Sequence, residues 1–150
     1  GLESDRGCPR LIRYADGQPQ ILLMARVEFA TDRDAILEQS VSVLEEVRAA
    51  LAANPQLTRV RVEGHTDSQR GDVYNLDLSR RRAGNVRAWL ITHGIPAERL
   101  EAYGCGLRRP IDDNHSHEGR QRNRRVEFHI VAPAPQYGAR SASGCSEQLP

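Results

Sequence analysis

Val60-Arg61-Val62-Glu63-Gly64-His65-Thr66-Asp67 is the stretch on which the fold turns. From 57 to 64 apolar and charged residues alternate: Val60 and Val62 point one way, Arg59, Arg61 and Glu63 the other. A period of two belongs to a strand with one face buried and one exposed. The polar run 65–74, with Gly71, breaks that pattern and reads as a loop. Beyond it the period changes. Ala83, Val86 and Leu90 recur at helical spacing with Trp89 at the margin, which predicts a helix over about 77–93. Gly94 stops it and Pro96 follows. Asp67 therefore leaves a strand, and Arg82 lies on the next helix, 15 positions later.

Upstream, 21–30 is apolar and β-branched enough for a buried strand. Thr31 or Asp32 then caps a helix carrying Leu37, Val41, Leu44 and Leu51, which ends at Asn54-Pro55. Downstream come a short strand at 100–106 and a long polar loop at 107–122 with one helical turn after Ser116. A last strand spans 125–131, with Val126, Phe128 and Ile130 inside and Glu127 and His129 outside. The order is β-α-β-α-β-β. It predicts an α/β (α+β) two-layer sandwich, a four-stranded mixed sheet with two helices on one face. The polar faces of the second and fourth strands are expected to lie open to water. Residues 1–19 form a lead-in segment, 20–132 the domain, and 133–150, rich in Pro, Gly and Ser, a flexible tail.

A chain of 150 residues suits one domain. The net charge of +1 and 5% aromatic content argue against a nucleic-acid surface. All 21 basic side chains are arginine, as codon bias in a GC-rich genome would give. No apolar run approaches the roughly 18 residues that span a bilayer. Gly1 is not a natural start, so the chain is expected to be a mature fragment or an excised domain. Cys8, Cys105 and Cys145 form no C-x-x-C pair, which speaks against structural zinc. Cys8 and Cys145 could pair across the flanks, leaving Cys105 over. His115 and His117 sit in a polar loop without a cysteine and read as solvated, so no metal and no cofactor are expected. His65 reads as a packing or hydrogen-bonding residue.

Asp67 and Arg82 give one carboxylate and one guanidinium that can face one space. Such a space suits a zwitterion, with an ammonium at Asp67 and a carboxylate in the fork of Arg82. Thr66 and Asn75 can add hydrogen bonds. With Arg82 in the second helical turn, the helix N-terminus would also face an anion. The competing reading is a plain ion pair between Asp67 and Arg82, worth about 0–1 kcal/mol at a surface. No nucleophile stands beside a base, so an enzyme is not expected.

The segment from 60 to 131 resembles the OmpA-like peptidoglycan-binding domain. The matching text is V-R-V-E-G-H-T-D at 60–67, N-L-D-L-S-R-R-R-A-G-N-V at 75–86 and H-G-I-P-A-E-R-L at 93–100. It continues with G-C-G-L-R-R-P-I at 104–111 and N-H-S-H-E-G-R-Q-R-N-R-R-V-E-F at 114–128. V-E-F-A at 27–30 and the 32–54 helix extend the likeness to about 20–132. The resemblance implies non-covalent binding of the meso-diaminopimelate of a peptidoglycan stem peptide. It assigns Asp67 to the ammonium and Arg82 to the carboxylate, with Thr66, Asn75 and Leu78 lining the pocket. Arg124 would reach the ligand, and Asp32 would border the site. It further implies a wall anchor at the periplasmic face of the outer membrane of a Gram-negative cell. An outer-membrane module upstream and a homodimer stay open. Asp5-Arg6-Gly7-Cys8-Pro9 resembles the end of a thrombospondin type 3-like repeat, without a complete calcium loop. A Pal-type lipoprotein or a flagellar stator anchor are alternatives within the class; a ligand-free oligomerisation domain is one outside it.

Overall fold

The computed structural model describes residues 12–15, 18–21 and 23–25 as backbone strands, and 27–29, 33–133 and 144–148 in full. β1 (Ile12–Ala15) and β2 (Gln18–Ile21) pair antiparallel as a separate two-stranded sheet within and just beyond the expected lead-in. β3 (Leu23–Ala25) begins the main sheet. There follow α1 (Val41–Ala53), β4 (Arg59–His65), α2 (Asp72–Thr92), β5 (Leu100–Gly106), α3 (His117–Asn123), β6 (Arg125–Ala132) and β7 (Ser146–Glu147). The main sheet runs β3-β6-β4-β5-β7. β4 lies at its centre, parallel to β5 and antiparallel to β6. The expected four-stranded mixed sheet is thus present, extended at one edge by the two residues of β7.

The apolar half of the alternation builds the core. Val60 and Val62 of β4 and Phe128 of β6 meet Leu44 and Leu51 of α1 and Leu90 of α2, all at most 1% exposed. Each such side chain contributes about 1.5–3 kcal/mol on burial. Gly64 and Gly104 let α2 lie unusually close to the sheet. A Cβ on Gly64 would stand 2.4 Å from the Ser79 carbonyl oxygen, and one on Gly104 2.3 Å from the Arg80 nitrogen. Only glycine permits such backbone contact.

Four expectations need correction. The first helix begins at Val41, not after Thr31 or Asp32. Residues 33–37 instead fold back on 28–29: Ile36 bridges Phe29, and the Leu37 N–H donates to the Glu28 carbonyl at 2.9 Å. The Ser40 hydroxyl then accepts from the Glu28 N–H at 2.6 Å, pinning the turn before the helix. The second helix begins at Asp72, five residues early, because its first turn carries the 81%-exposed Val73 and shows no apolar stripe. Arg82 consequently sits in the third turn, about 15 Å along the axis from the helix start.

The polar sheet face is not open to water. Arg61, Glu63, His65, Arg125 and Glu127 are all buried. Alternation shows which residues share a face, not whether that face is covered. Finally, the C-terminal segment is docked over 144–148. Cys145 is disulfide-bonded to Cys105, β7 pairs with Tyr103 and Gly104, and the Gln148 N–H donates to the Ala102 carbonyl at 2.8 Å. Cys8 lies outside the described residues. Among those described, no helix is long and apolar enough to cross a membrane.

Candidate functional site

β4 ends at His65, and the chain turns over the sheet end into the loop before α2. The Thr66 N–H donates to the Gly106 carbonyl at 2.8 Å, fixing the exit against β5. The Thr66 hydroxyl donates to the Asp67 carbonyl at 2.9 Å. The Asn75 amide donates to the Asp67 carbonyl at 3.3 Å and to the Arg70 carbonyl at 2.9 Å. Thr66 and Asn75 thus spend these donors on shaping the loop. Both are buried, so their partners must lie within the fold.

Asp67 is 6% exposed. Its Oδ1 accepts from the Gln69 N–H at 3.0 Å, and its Oδ2 accepts from Arg124 Nη1. The carboxylate is therefore held by a backbone donor and a guanidinium. Arg124 stands at the junction of α3 and β6. Its placement depends on Asn123, whose Oδ1 accepts from the Ile111 N–H at 2.7 Å and the Asp112 N–H at 3.0 Å and ties the preceding loop to α3. The Ser116 hydroxyl caps α3 by accepting from the Gly119 N–H at 2.9 Å.

Arg82 does not pair with Asp67 in the contacts seen. Its Nε donates to the Arg33 carbonyl at 2.8 Å, and its guanidinium lies 4.7 Å over the Phe29 ring. The backbone carbonyl and the aromatic face orient the fork together. The plain Asp67–Arg82 ion pair is thereby replaced by two separately held charges around one space.

That space is a cavity of about 560 Å³ lined by Asp67, Arg82, Thr66, Asn75, Leu78 and Arg124, among others. Six of the seven residues singled out in the sequence thus meet in one place. The seventh, Asp32, lies outside the described residues. Phe29, Arg70 and Arg120 also line the cavity and were not singled out. Phe29 was visible as the last large apolar residue before the first loop. Arg70 stacks its guanidinium 4.3 Å over the Tyr74 ring, and nothing in the periodicity marks it. The cavity is lined by two acidic residues, Glu28 and Asp67, and by several arginines, and suits a ligand that carries an ammonium and more than one acidic group.

The family profile of the OmpA family matches residues 28–124. The chain is 38% identical to outer membrane porin F of Pseudomonas aeruginosa over 125 residues, covering 80% of this chain and 35% of the porin. It is 38% identical over 112 residues to the outer-membrane lipoprotein YfiB of the same organism, covering 75% of this chain and 65% of the lipoprotein. The chain thus spans about a third of the porin and just under two thirds of the lipoprotein. Among solved structures, the cell wall anchor of the T6SS from Pseudomonas aeruginosa superimposes with a TM-score of 0.68 at 27% identity, covering 86% of this chain and 92% of that one.

Proposed function

The chain belongs to the OmpA family, and from that premise we propose that residues 20–132 bind peptidoglycan without chemistry and anchor an envelope protein to the cell wall. The observation that carries this reading is a cavity lined by both Asp67 and Arg82. The likeness to a cell wall anchor supports the class of ligand. The likeness to a porin and a lipoprotein of the outer membrane supports a setting at its periplasmic face.

The ligand we assign is the free end of meso-diaminopimelate in a stem peptide. It carries an ammonium and a carboxylate on one carbon. Asp67 takes the ammonium; a carboxylate has room for a further donor beside Gln69 and Arg124. Arg82, held over Phe29, takes the carboxylate. Arg124 stays within reach of both Asp67 and the ligand's acid. Leu78, 4% exposed, supports the methylene chain. Thr66 and Asn75 act by shaping the loop. A lysine-type stem peptide has the amine but lacks the acid, so Arg82 would lose its partner and binding would fall.

The same contacts support a binding module rather than an enzyme. Asp67 is held by the Gln69 N–H and by Arg124, an environment that suits charge recognition better than proton abstraction. Co-sedimentation with purified sacculi tests the reading. The parent chain should pellet with diaminopimelate-type sacculi, and Asp67→Ala and Arg82→Ala should stay in solution. Equal pelleting of all three would remove the pocket from the account.

A further inference from the structure

Residues 61–65 and 125–129 spell the same pentad, Arg-Val-Glu-x-His, once on β4 and once on β6. The two strands are antiparallel neighbours, and Glu63 stands opposite Glu127 in the register. The pentads are therefore related by a local two-fold axis. Strand alternation sends Val62 and Val126 to the core, and the arginine, glutamate and histidine of each pentad to the other sheet face.

Two carboxylates opposite each other on one face repel. Here they converge with both histidines. His65 Nε2 lies 3.2 Å from Glu63 Oε1 and 3.6 Å from Glu127 Oε1. His129 Nε2 lies 2.8 Å from Glu127 Oε1 and 3.6 Å from Glu63 Oε1. The four atoms form a ring of alternating nitrogen and oxygen. The second oxygens turn toward the arginines: Arg125 Nε is 2.6 Å from Glu127 Oε2, and Arg61 Nη1 is 3.8 Å from Glu63 Oε2.

We infer that the paired pentads form a binding site for one divalent cation of the zinc type, ligated by Glu63, Glu127 and His129, whose ligand atoms lie within 4.8 Å of one another. One imidazole and two carboxylates, with a fourth position left to water, are a donor set that such ions accept. Ligands at the usual zinc distances stand about 3.3–3.4 Å apart in a tetrahedron, and His129 Nε2 stands 2.8 Å from Glu127 Oε1 and 3.6 Å from Glu63 Oε1, lengths that bracket it. Ligating carboxylates need outer hydrogen bonds to fix them, and Arg125 Nε donates one to Glu127 Oε2 at 2.6 Å, while Arg61 stands by Glu63 as an ion pair at 3.8 Å. A cation at the centre also removes the repulsion between Glu63 and Glu127. Cys105 Sγ is 3.9 Å from Glu63 Oε1 but is committed to its disulfide, so it is not a ligand. His129, 19% exposed in its side chain, gives the otherwise buried ring its route to solvent.

Cobalt(II) is the probe, because a tetrahedral cobalt site absorbs strongly in the visible and an octahedral one weakly. The chain, stripped with a chelator and freed of any affinity tag, should take up one equivalent with the strong tetrahedral spectrum. Zinc should displace it. His129→Ala should bind cobalt about tenfold more weakly or worse, and its partial exposure lets that variant keep its fold, as checked by circular dichroism. His115→Ala combined with His117→Ala should bind as the parent does. A weak octahedral spectrum, uptake unchanged in His129→Ala, or uptake lost with His115 and His117 would each overturn the assignment.

Discussion

Asp67 and Arg82 act at the cavity, but the residues that hold them decide whether it exists. Asn75 is 3% exposed and bonds two loop carbonyls. Asn75→Ala should lower stability by about 1–3 kcal/mol through unsatisfied buried groups, and weaken ligand binding with it. Arg82→Ala should abolish binding while urea denaturation shows a smaller loss of stability. The same distinction applies to Gly64. Gly64→Ala forces a Cβ to 2.4 Å from the Ser79 carbonyl oxygen and should lower stability by about 1–3 kcal/mol. Gly71→Ala meets no atom within 4 Å and should cost less than about 1 kcal/mol. Urea midpoints separate the two outcomes. Asp67, Arg82 and Leu78 were legible because the G-H-T-D and N-L-D-L-S-R-R-R motifs are specific in type and order. The ion pair from Asp67 to Arg124, and the stacking of Arg82 on Phe29, were not. They join segments 57 and 53 positions apart, and only the packed sheet brings those together.

Among the elements, β4 and β6 were legible from alternation, β5 as a short strand, and α2 from its buried stripe. Helix starts were less so. The first turn of α2 faces solvent, and the segment before α1 is spent on a fold-back to Phe29 and Glu28, where local propensity yields to tertiary contacts. The C-terminal segment shows the same limit. Its composition reads as a tail, yet Cys145 pins β7 to the edge of β5. Composition does not reveal a disulfide partner 40 residues away. Cys145→Ser should release this edge strand and lower stability by about 2–4 kcal/mol in a denaturant titration. Ligand affinity should be unchanged, since none of residues 144–148 lines the cavity.

Over the whole molecule, the β-α-β-α-β-β order and the two-layer arrangement followed from period changes along the chain. Burial of the polar sheet face did not, and it carries a pH signature. Burial lowers the pKa of His65 from its ordinary 6.5, against the raising effect of its hydrogen bond to Glu63. For Glu127, burial pushes the carboxyl up. The hydrogen bond with His129 and the charges of His65 and Arg125 outweigh it and hold the group well below its ordinary 4.5. Both folded-state values lie below the unfolded ones. The unfolded chain therefore binds more protons in acid, and stability falls with falling pH. The loss should begin below about pH 6.5 through His65 and steepen below about pH 4.5 through Glu127. Thermal melts of the chelator-treated, metal-free chain from pH 7.5 to 4 should show it, and Glu127→Gln should flatten the lower part of the curve.

The central claim is that one cavity recognises both charges of the diaminopimelate end. Titration calorimetry of the chain with a diaminopimelate-type stem peptide, beside the lysine-type peptide of the same length, tests it most directly. Saturable binding of the first is expected, with at least about tenfold weaker binding of the second, and loss of the first in Asp67→Ala and Arg82→Ala variants that remain folded. Equal binding of the two peptides, or no binding of either by the folded parent chain, would contradict it.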